Sequence, residues 1–332
     1  MRGLLGLSPP QSTTFLSIRR RQQQQQPPRP SSGSPTSLPP KEKEVGVDHI
    51  SSVSNPFVKH CVRLRCSSSH RRSHRSLLLV GTTPIREVRD YGNLEADGAS
   101  LIDCLLVREE NQVPAEFASS ATCVIHVSPL VMEKISGVET SDSTEMVAVM
   151  RMPSTFVDLN NDGCILDCER LFPSPRRILV LDAIQDPGNL GTLLRSAAAF
   201  NWDGVLLLPG CCDPFNDKAI RASRGAAFRL PVVMGTWDHV EALVGEFKMK
   251  LLAGHPEGDG GQEPVSALCD SLISSLTDLP ICLVLGSEGR GLSDKSKTSC
   301  ELVSLHMSGK FESLNVSVAG GIFMFMLQSR KY

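Results

Sequence analysis

From Arg177 to the end of the chain, short apolar runs alternate with segments of helical period, and this alternation constrains the fold more than any other feature. "ILVLDAI" (178–184), "GVLLLPG" (204–210), "FRLPVV" (228–233), "MKLLAG" (249–254), "ICLVLG" (281–286) and "ELVSL" (301–305) read as buried strands. Helical patterns fall between them at 189–200, 217–223, 238–247 and near 266–276, and a final one covers 315–329. Strands that are apolar on both faces need covering on both faces, and strands separated by helices pair in parallel. The expected fold is therefore α/β, a parallel sheet with helices on both sides. Ligands of such sheets gather beyond the carboxyl ends of the strands.

Upstream, residues 49–150 read as a smaller α/β domain. "SLLLV" (76–80), "SLIDCLLV" (100–107), "ATCVIHVS" (121–128) and "MVAVM" (146–150) supply its short apolar runs. Helices are expected from Pro56 to Leu64, from Ile85 onward and over 128–136. The Pro-, Asn- and Asp-containing stretch 151–176 reads as a linker to a domain spanning 177–332.

The N-terminus differs in composition. Residues 1–40 hold no Asp or Glu but carry Arg2, Arg19, Arg20, Arg21 and Arg29 among many Ser and Pro. That is how an organellar transit peptide reads, and 1–48 is taken as one, chloroplast ahead of mitochondrion; a plain disordered tail is the alternative. The formal net charge of −2 excludes a general basic field, so any nucleic-acid contact needs local charge. The eleven cysteines form no C-x-x-C pair and read as reduced core residues of an intracellular protein; no metal site is expected. No apolar run approaches the roughly 20 residues that span a bilayer, so no membrane partner is expected.

Three loops stand out at strand ends. In the first, Asp186-Pro187-Gly188-Asn189 is turn chemistry, with Asn189 a plausible N-cap. Leu190, Leu193, Leu194, Ala197 and Ala198 then mark one helix face, and Arg195 lies roughly 130° off it at about 100° per residue. Taken alone, Arg195 is a solvated surface residue. In the second, strand 281–286 ends in Gly286-Ser287-Glu288-Gly289-Arg290-Gly291, which fits neither G-x-G-x-x-G nor a P-loop. In the third, Ser313-Leu314-Asn315 precedes an apolar helix that contains Gly320-Gly321, each costing about 1 kcal/mol relative to Ala. Taken alone, Asn189, Ser313 and Asn315 are caps and Glu288 is a solvated acid.

In this order, D-P-G-N-L-G-T-x-x-R, L-G-x-E-G-x-G and S-L-N-V-S-V-A resemble the three motifs of the SpoU/TrmH branch of the SPOUT RNA methyltransferases. The resemblance covers roughly 177–330, and "KAIRASRGAAFRLPV" (218–232) is similar to the family's segment between motifs one and two. Residues 54–88 are similar to the start of the family's small, L30e-like substrate-binding domain. The resemblance implies a trefoil knot in the C-terminal domain, a topology that periodicity cannot reveal and that is otherwise nearly absent from proteins. It implies a homodimer through the knot region and last helix, where Gly320-Gly321 would pack against a partner.

The implied reaction is methyl transfer from S-adenosylmethionine to a ribose 2′-hydroxyl of rRNA or tRNA. A catalytically silent RNA-binding or assembly factor of the same fold is the alternative. By the resemblance, Arg195 is the catalytic arginine, read as an electrostatic stabiliser of the developing alkoxide because a guanidinium is a poor proton acceptor. Asn189 would orient Arg195 or the ribose, Glu288 would position the arginine or the loop, and Asn315 completes the catalytic set. Gly286, Leu305, Met307, Ser313, Leu314 and Asn315 would hold the cofactor. The family's usual Ile-Pro-Met stands here as Leu305-His306-Met307, a departure in the adenine pocket. Arg63, Arg65, Arg71, Arg72 and Arg75 are the candidates for RNA phosphate contact, a solvated charge run being the alternative.

Overall fold

Short runs of β-branched and leucine residues assemble into two sheets in the computed structural model of the chain. It describes residues 48–92, 101–117, 121–138, 145–160, 170–256, 264–309, 311 and 313–329. The expected transit peptide lies outside the described residues, except for Asp48, which already belongs to a strand. No helix among the described residues is long and apolar enough to cross a membrane.

The first sheet is built from β1 (Asp48–Ile50), α1 (Pro56–Cys66), α2 (Ser68–His74), β2 (Ser76–Val80), α3 (Thr82–Gly92), β3 (Ile102–Arg108), β4 (Ala121–Val127), α4 (Pro129–Ser136) and β5 (Met146–Arg151). Its order is β1-β4-β3-β5-β2. The β1–β4 and β4–β3 pairs are parallel; β3–β5 and β5–β2 are antiparallel.

The second sheet follows with β6 (Phe156–Asp158), β7 (Arg177–Asp182), α5 (Pro187–Ala199), β8 (Gly204–Leu207), α6 (Asp217–Ser223), β9 (Val232–Met234), α7 (Trp237–Phe247), β10 (Lys250–Gly254), β11 (Val265–Ala267), α8 (Asp270–Leu276), β12 (Ile281–Gly286), α9 (Asp294–Ser299), β13 (Glu301–Ser304) and α10 (Val316–Leu327). The order is β11-β13-β10-β12-β7-β8-β9-β6, with every pair parallel. From β7 the chain first builds outward through β8 and β9. It then crosses to β10, and β12 returns to fill the slot between β10 and β7. That reversal is a topological switch point, and it sets the carboxyl ends of β7 and β12 side by side, with Asp182 paired to Gly286.

Two expectations change. The stretch 151–176 is not only a linker: β6 lies inside it and pairs with β9 as the edge of the second sheet. "FRLPVV" is a strand only from Val232, because Ala226–Phe228 forms a 3₁₀ turn. The two sheets are joined rather than merely tethered. One apolar cluster runs from Leu77, Leu105 and Met150 through Phe156, Phe215 and Phe228 to Leu179 and Leu193. The described cysteines form no disulfide; Cys61, Cys104 and Cys282 are buried as expected, but Cys66, Cys123 and Cys269 are exposed.

Candidate active site

The N-cap of α5 is Asp186, not Asn189. Its carboxylate accepts the backbone N–H of Asn189 at 2.9 Å, and Pro187 occupies the first helical position, where its missing N–H costs nothing. Lys218 Nζ donates to the same carboxylate at 2.9 Å. That bond and the Asn189 N–H hold the Asp186 carboxyl below the usual range. Because Asp186 does the capping, the Asn189 side chain is free for other work.

That work is a relay across all three loops. Asn315 caps α10: its Oδ1 accepts from Ser317 N at 2.9 Å and Val318 N at 3.4 Å. Its Nδ2 therefore points away from the helix and donates to Asn189 Oδ1 at 3.2 Å. Asn189 Nδ2 in turn donates to the Glu288 carboxylate. Each amide has one orientation open to it, because helix N–H groups fix one end of the chain of bonds and an anion fixes the other. Below the relay, α5 and α10 run side by side. A methyl on Gly320 would come 2.4 Å from Leu193 Cδ2 and 2.7 Å from Leu285 Cδ1, and Phe200 stacks edge-on to Phe325 at 5.6 Å. Two helix N-termini thus meet at one end of the sheet, where their dipoles favour negative charge.

The Glu288 loop is held by its own backbone. Ser287 N donates to Gly291 O at 3.0 Å and Gly291 N to Ser287 O at 2.9 Å. A Cβ at Gly286 would lie 2.4 Å from the Gly291 carbonyl, so this glycine lets the loop fold back over its own strand. Asp182, buried at the end of β7, ties down the far side: it accepts from Ser293 N at 3.0 Å and from the Ser296 hydroxyl.

Arg195 stands apart. It is exposed on α5, off the buried face of Leu190, Leu193, Leu194 and Ala197, and about 12 Å along the axis from Pro187 at 1.5 Å per residue. Among the described residues it makes no hydrogen bond or ion pair. Of the two roles expected for Glu288, positioning the arginine or the loop, its bond from Asn189 bears on the loop, which it ties to α5. Beyond β13, Leu305 and Met307 are half-buried, Leu305 against the main core, while Ser313, Leu314 and Asn315 are exposed. The expectation that Gly320-Gly321 awaits a partner chain is corrected for Gly320, which is buried against Leu193 and Leu285 of its own chain.

The basic cluster divides. Arg71 is 3% exposed. Its Nη1 donates to the Leu64 and Arg65 carbonyls at 2.6 and 2.8 Å, closing the end of α1, and its Nε donates to Asp213 at 3.0 Å. A buried guanidinium needs all these acceptors, so Arg71 latches the two sheets and is not a phosphate ligand. Arg72 pairs with Asp158 at 3.3 Å and Arg224 with Glu87, adding to the latch. Arg65 is half-buried and lies over Gly137; Arg63 and Arg75 are exposed. Nearby, burial first and then His70, His74 and Arg63 pull His60 down to about 4.

Sequence reading missed Asp182, Asp186 and Lys218. Pro187 was a usable signal for Asp186, since proline favours the position directly after an N-cap. Asp182 had only its place at a strand end to mark it.

Residues 176–325 match the SpoU rRNA Methylase family, which sets the class of the C-terminal domain as an RNA methylase. The C-terminal part of the chain, residues 176–325, is thus a domain of that family. The chain is 28% identical to a 23S rRNA (guanosine(2553)-2'-O)-methyltransferase of Bacillus subtilis (strain 168), over 84% of this chain and 98% of that one. It resembles a crystal structure of an RNA 2'-O ribose methyltransferase at 26% identity and a TM-score of 0.62, covering 84% of this chain and 97% of the other. It also shares the fold of an AdoMet-bound rRNA methyltransferase from Sinorhizobium meliloti, at 24% identity and a TM-score of 0.64, over 85% and 97% of the two chains.

Proposed function

We propose that the protein transfers a methyl group from S-adenosylmethionine to a ribose 2′-hydroxyl of RNA. The observation that carries this reading is the Glu288–Asn189–Asn315 relay, which locks the three motif loops together on the helix whose flank bears the exposed Arg195. The full-length likeness to the Bacillus relative favours ribosomal RNA as substrate over tRNA.

The residues suit the cofactor. Leu305 and Met307 offer half-buried apolar side chains after β13, Gly286 lets its loop fold back over β12, and Ser313 and Leu314 are exposed. When bound, the cofactor supplies an electrophilic methyl on a sulfonium. The protein then has to orient and to stabilise charge, and a near-attack geometry contributes about 7–11 kcal/mol. The relay fixes the loops that frame the site. The paired N-termini of α5 and α10 favour anionic groups of the RNA. Arg195, which has no hydrogen-bond or ion-pair partner among the described residues, can stabilise the alkoxide forming on the 2′-oxygen.

The same reading includes a trefoil knot formed by the segments around β12, β13 and α10, and an L30e-like role in substrate binding for the first sheet. Arg63, Arg65 and Arg75 are its remaining phosphate-facing candidates. It includes a homodimer, for which Val318, Ile322 and Phe325 provide an exposed apolar strip on α10, Phe325 being 58% exposed. The acid-free, Arg-rich composition of residues 1–40 supports an organellar location, chloroplast ahead of mitochondrion.

The test is transfer of a labelled methyl group to organellar rRNA and tRNA by the full chain and by Arg195→Ala. Transfer to ribose lost in the variant, with cofactor affinity kept, is the expected result. Wild-type protein that binds both cofactor and RNA but transfers nothing would instead be a silent RNA-binding factor.

A further inference from the structure

The junction of α1 and α2 gathers three imidazoles that the methyl-transfer reading does not use. His60 lies on α1; His70 and His74 are one turn apart on α2 and share a face. One ring nitrogen from each lies within 4.8 Å of the other two. The nearest pair, His70 Nε2 and His60 Nδ1, are 3.1 Å apart. The His70 and His74 ring centroids are 4.0 Å apart, and each lies 5.1 Å from that of His60.

We propose that His60, His70 and His74 form a binding site for a divalent transition metal of the zinc type, contrary to the expectation that the chain holds none. Tetrahedral zinc with nitrogen ligands at about 2.0–2.1 Å places those nitrogens about 3.3 Å apart. The nearest pair already meets that spacing, and small ring rotations bring in the third. His74 Nδ1 donates to the His70 carbonyl at 3.0 Å, which leaves its Nε2 with the lone pair a metal needs. His70 and His60 now share a single proton between facing nitrogens, and a metal ion replaces that proton.

The scaffold is fixed without help from the rings. Ser67 caps α2 by accepting from His70 N at 3.2 Å, and Arg71 binds the closing carbonyls of α1. Three neutral ligands leave one position open, and the charge of Arg63, which acts on His60 and His70, favours an anionic oxygen or hydroxide there. A bound ion would pin α1 to α2, the segment that presents Arg63, Arg65 and Arg75.

The test is titration of the chelator-stripped full chain with Zn²⁺ against a chromophoric competitor, and with Co²⁺ by visible absorption. The comparison variants are His70→Gln and His74→Gln; His74 is exposed, so its variant keeps the fold, which a thermal melt verifies. Stoichiometric uptake with a cobalt spectrum of nitrogen and oxygen ligands and no thiolate band, weakened about a hundredfold or more in both variants, is expected. No uptake, equal uptake in the variants, or a thiolate charge-transfer band from cysteine ligation would overturn the site. Because no methyl transfer is measured, this outcome is independent of the proposed activity.

Discussion

Asn315 Nδ2 donates to Asn189 Oδ1 at 3.2 Å across 126 positions of sequence, so the residue that caps α10 also steers the third residue of α5. Glu288 anchors the other end of this chain of amides. A change at any one of the three loops reaches the other two.

Asn189→Ala breaks the relay but leaves the cap of α5 to Asp186. Methyl transfer should fall about a hundredfold, while stability stays within about 0.5 kcal/mol of wild type. Asp186→Ala should do the reverse, costing about 1 kcal/mol as a lost cap with a smaller loss of rate. Paired with Glu288→Gln in a double-mutant cycle, Asn189→Ala should show rate losses well short of additive. Thermal melts and single-turnover kinetics on the same variants check this.

Arg177 should be the costliest single truncation outside the apolar core. It is 2% exposed, and its guanidinium donates to the carbonyls of Leu327 at 2.5 Å, Leu279 at 2.7 Å, Arg176 at 2.9 Å and Thr277 at 3.3 Å. Burial pulls its pKa down to about 10, which still leaves it charged at neutral pH. Arg177→Met strands those carbonyls, and urea unfolding should report a loss of about 3 kcal/mol.

Adjacent glycines should respond in opposite directions. Gly320→Ala drives a methyl into Leu193 and Leu285 and should cost about 1–3 kcal/mol. At Gly321 the nearest atom to a new Cβ is Ser196 Oγ, at 3.8 Å. Gly321→Ala should therefore stabilise by about 0.5–1 kcal/mol through helix propensity. Denaturation midpoints of the two variants decide it.

With a chelator present, His60 makes stability depend on mild acid. Its pKa of about 4 in the folded chain lies below the ordinary 6.5, so the unfolded chain takes up the proton first. The stabilisation is complete above about 6.5 and is lost as pH falls through about 4. The ring is half-exposed, and solvent screening reduces the effect to about 1–2 kcal/mol. Unfolding free energies from pH 7 to 4 should fall more steeply in wild type than in His60→Gln.

The strands and the three loops could be read in the chain because each is contiguous and its chemistry local: apolar runs, turn residues, helical spacing. What could not be read depends on partners far away in sequence. The three-residue strand at Phe156 is too short to show a period and exists because β9 lies alongside. Arg71 reads as one more charge in a basic run, since its acceptors are backbone carbonyls and Asp213. Gly320 signals close packing correctly, but only the fold reveals that the neighbour is Leu193 of the same chain. Asn189 and Asp186 are both good caps by type, and the choice between them decides which one has a side chain to spare.

The placement of β12 also sets an order of assembly. Its slot beside β7 must stay vacant while the ribosome makes the roughly hundred residues between β7 and β12, a separation that raises the contact order of the sheet. Until Gly286 emerges, two central strands present bare hydrogen-bonding edges to whatever else is nearby. The nascent chain is therefore most prone to wrong pairings just before its site can exist, and a truncation ahead of residue 281 leaves an open seam rather than a smaller enzyme.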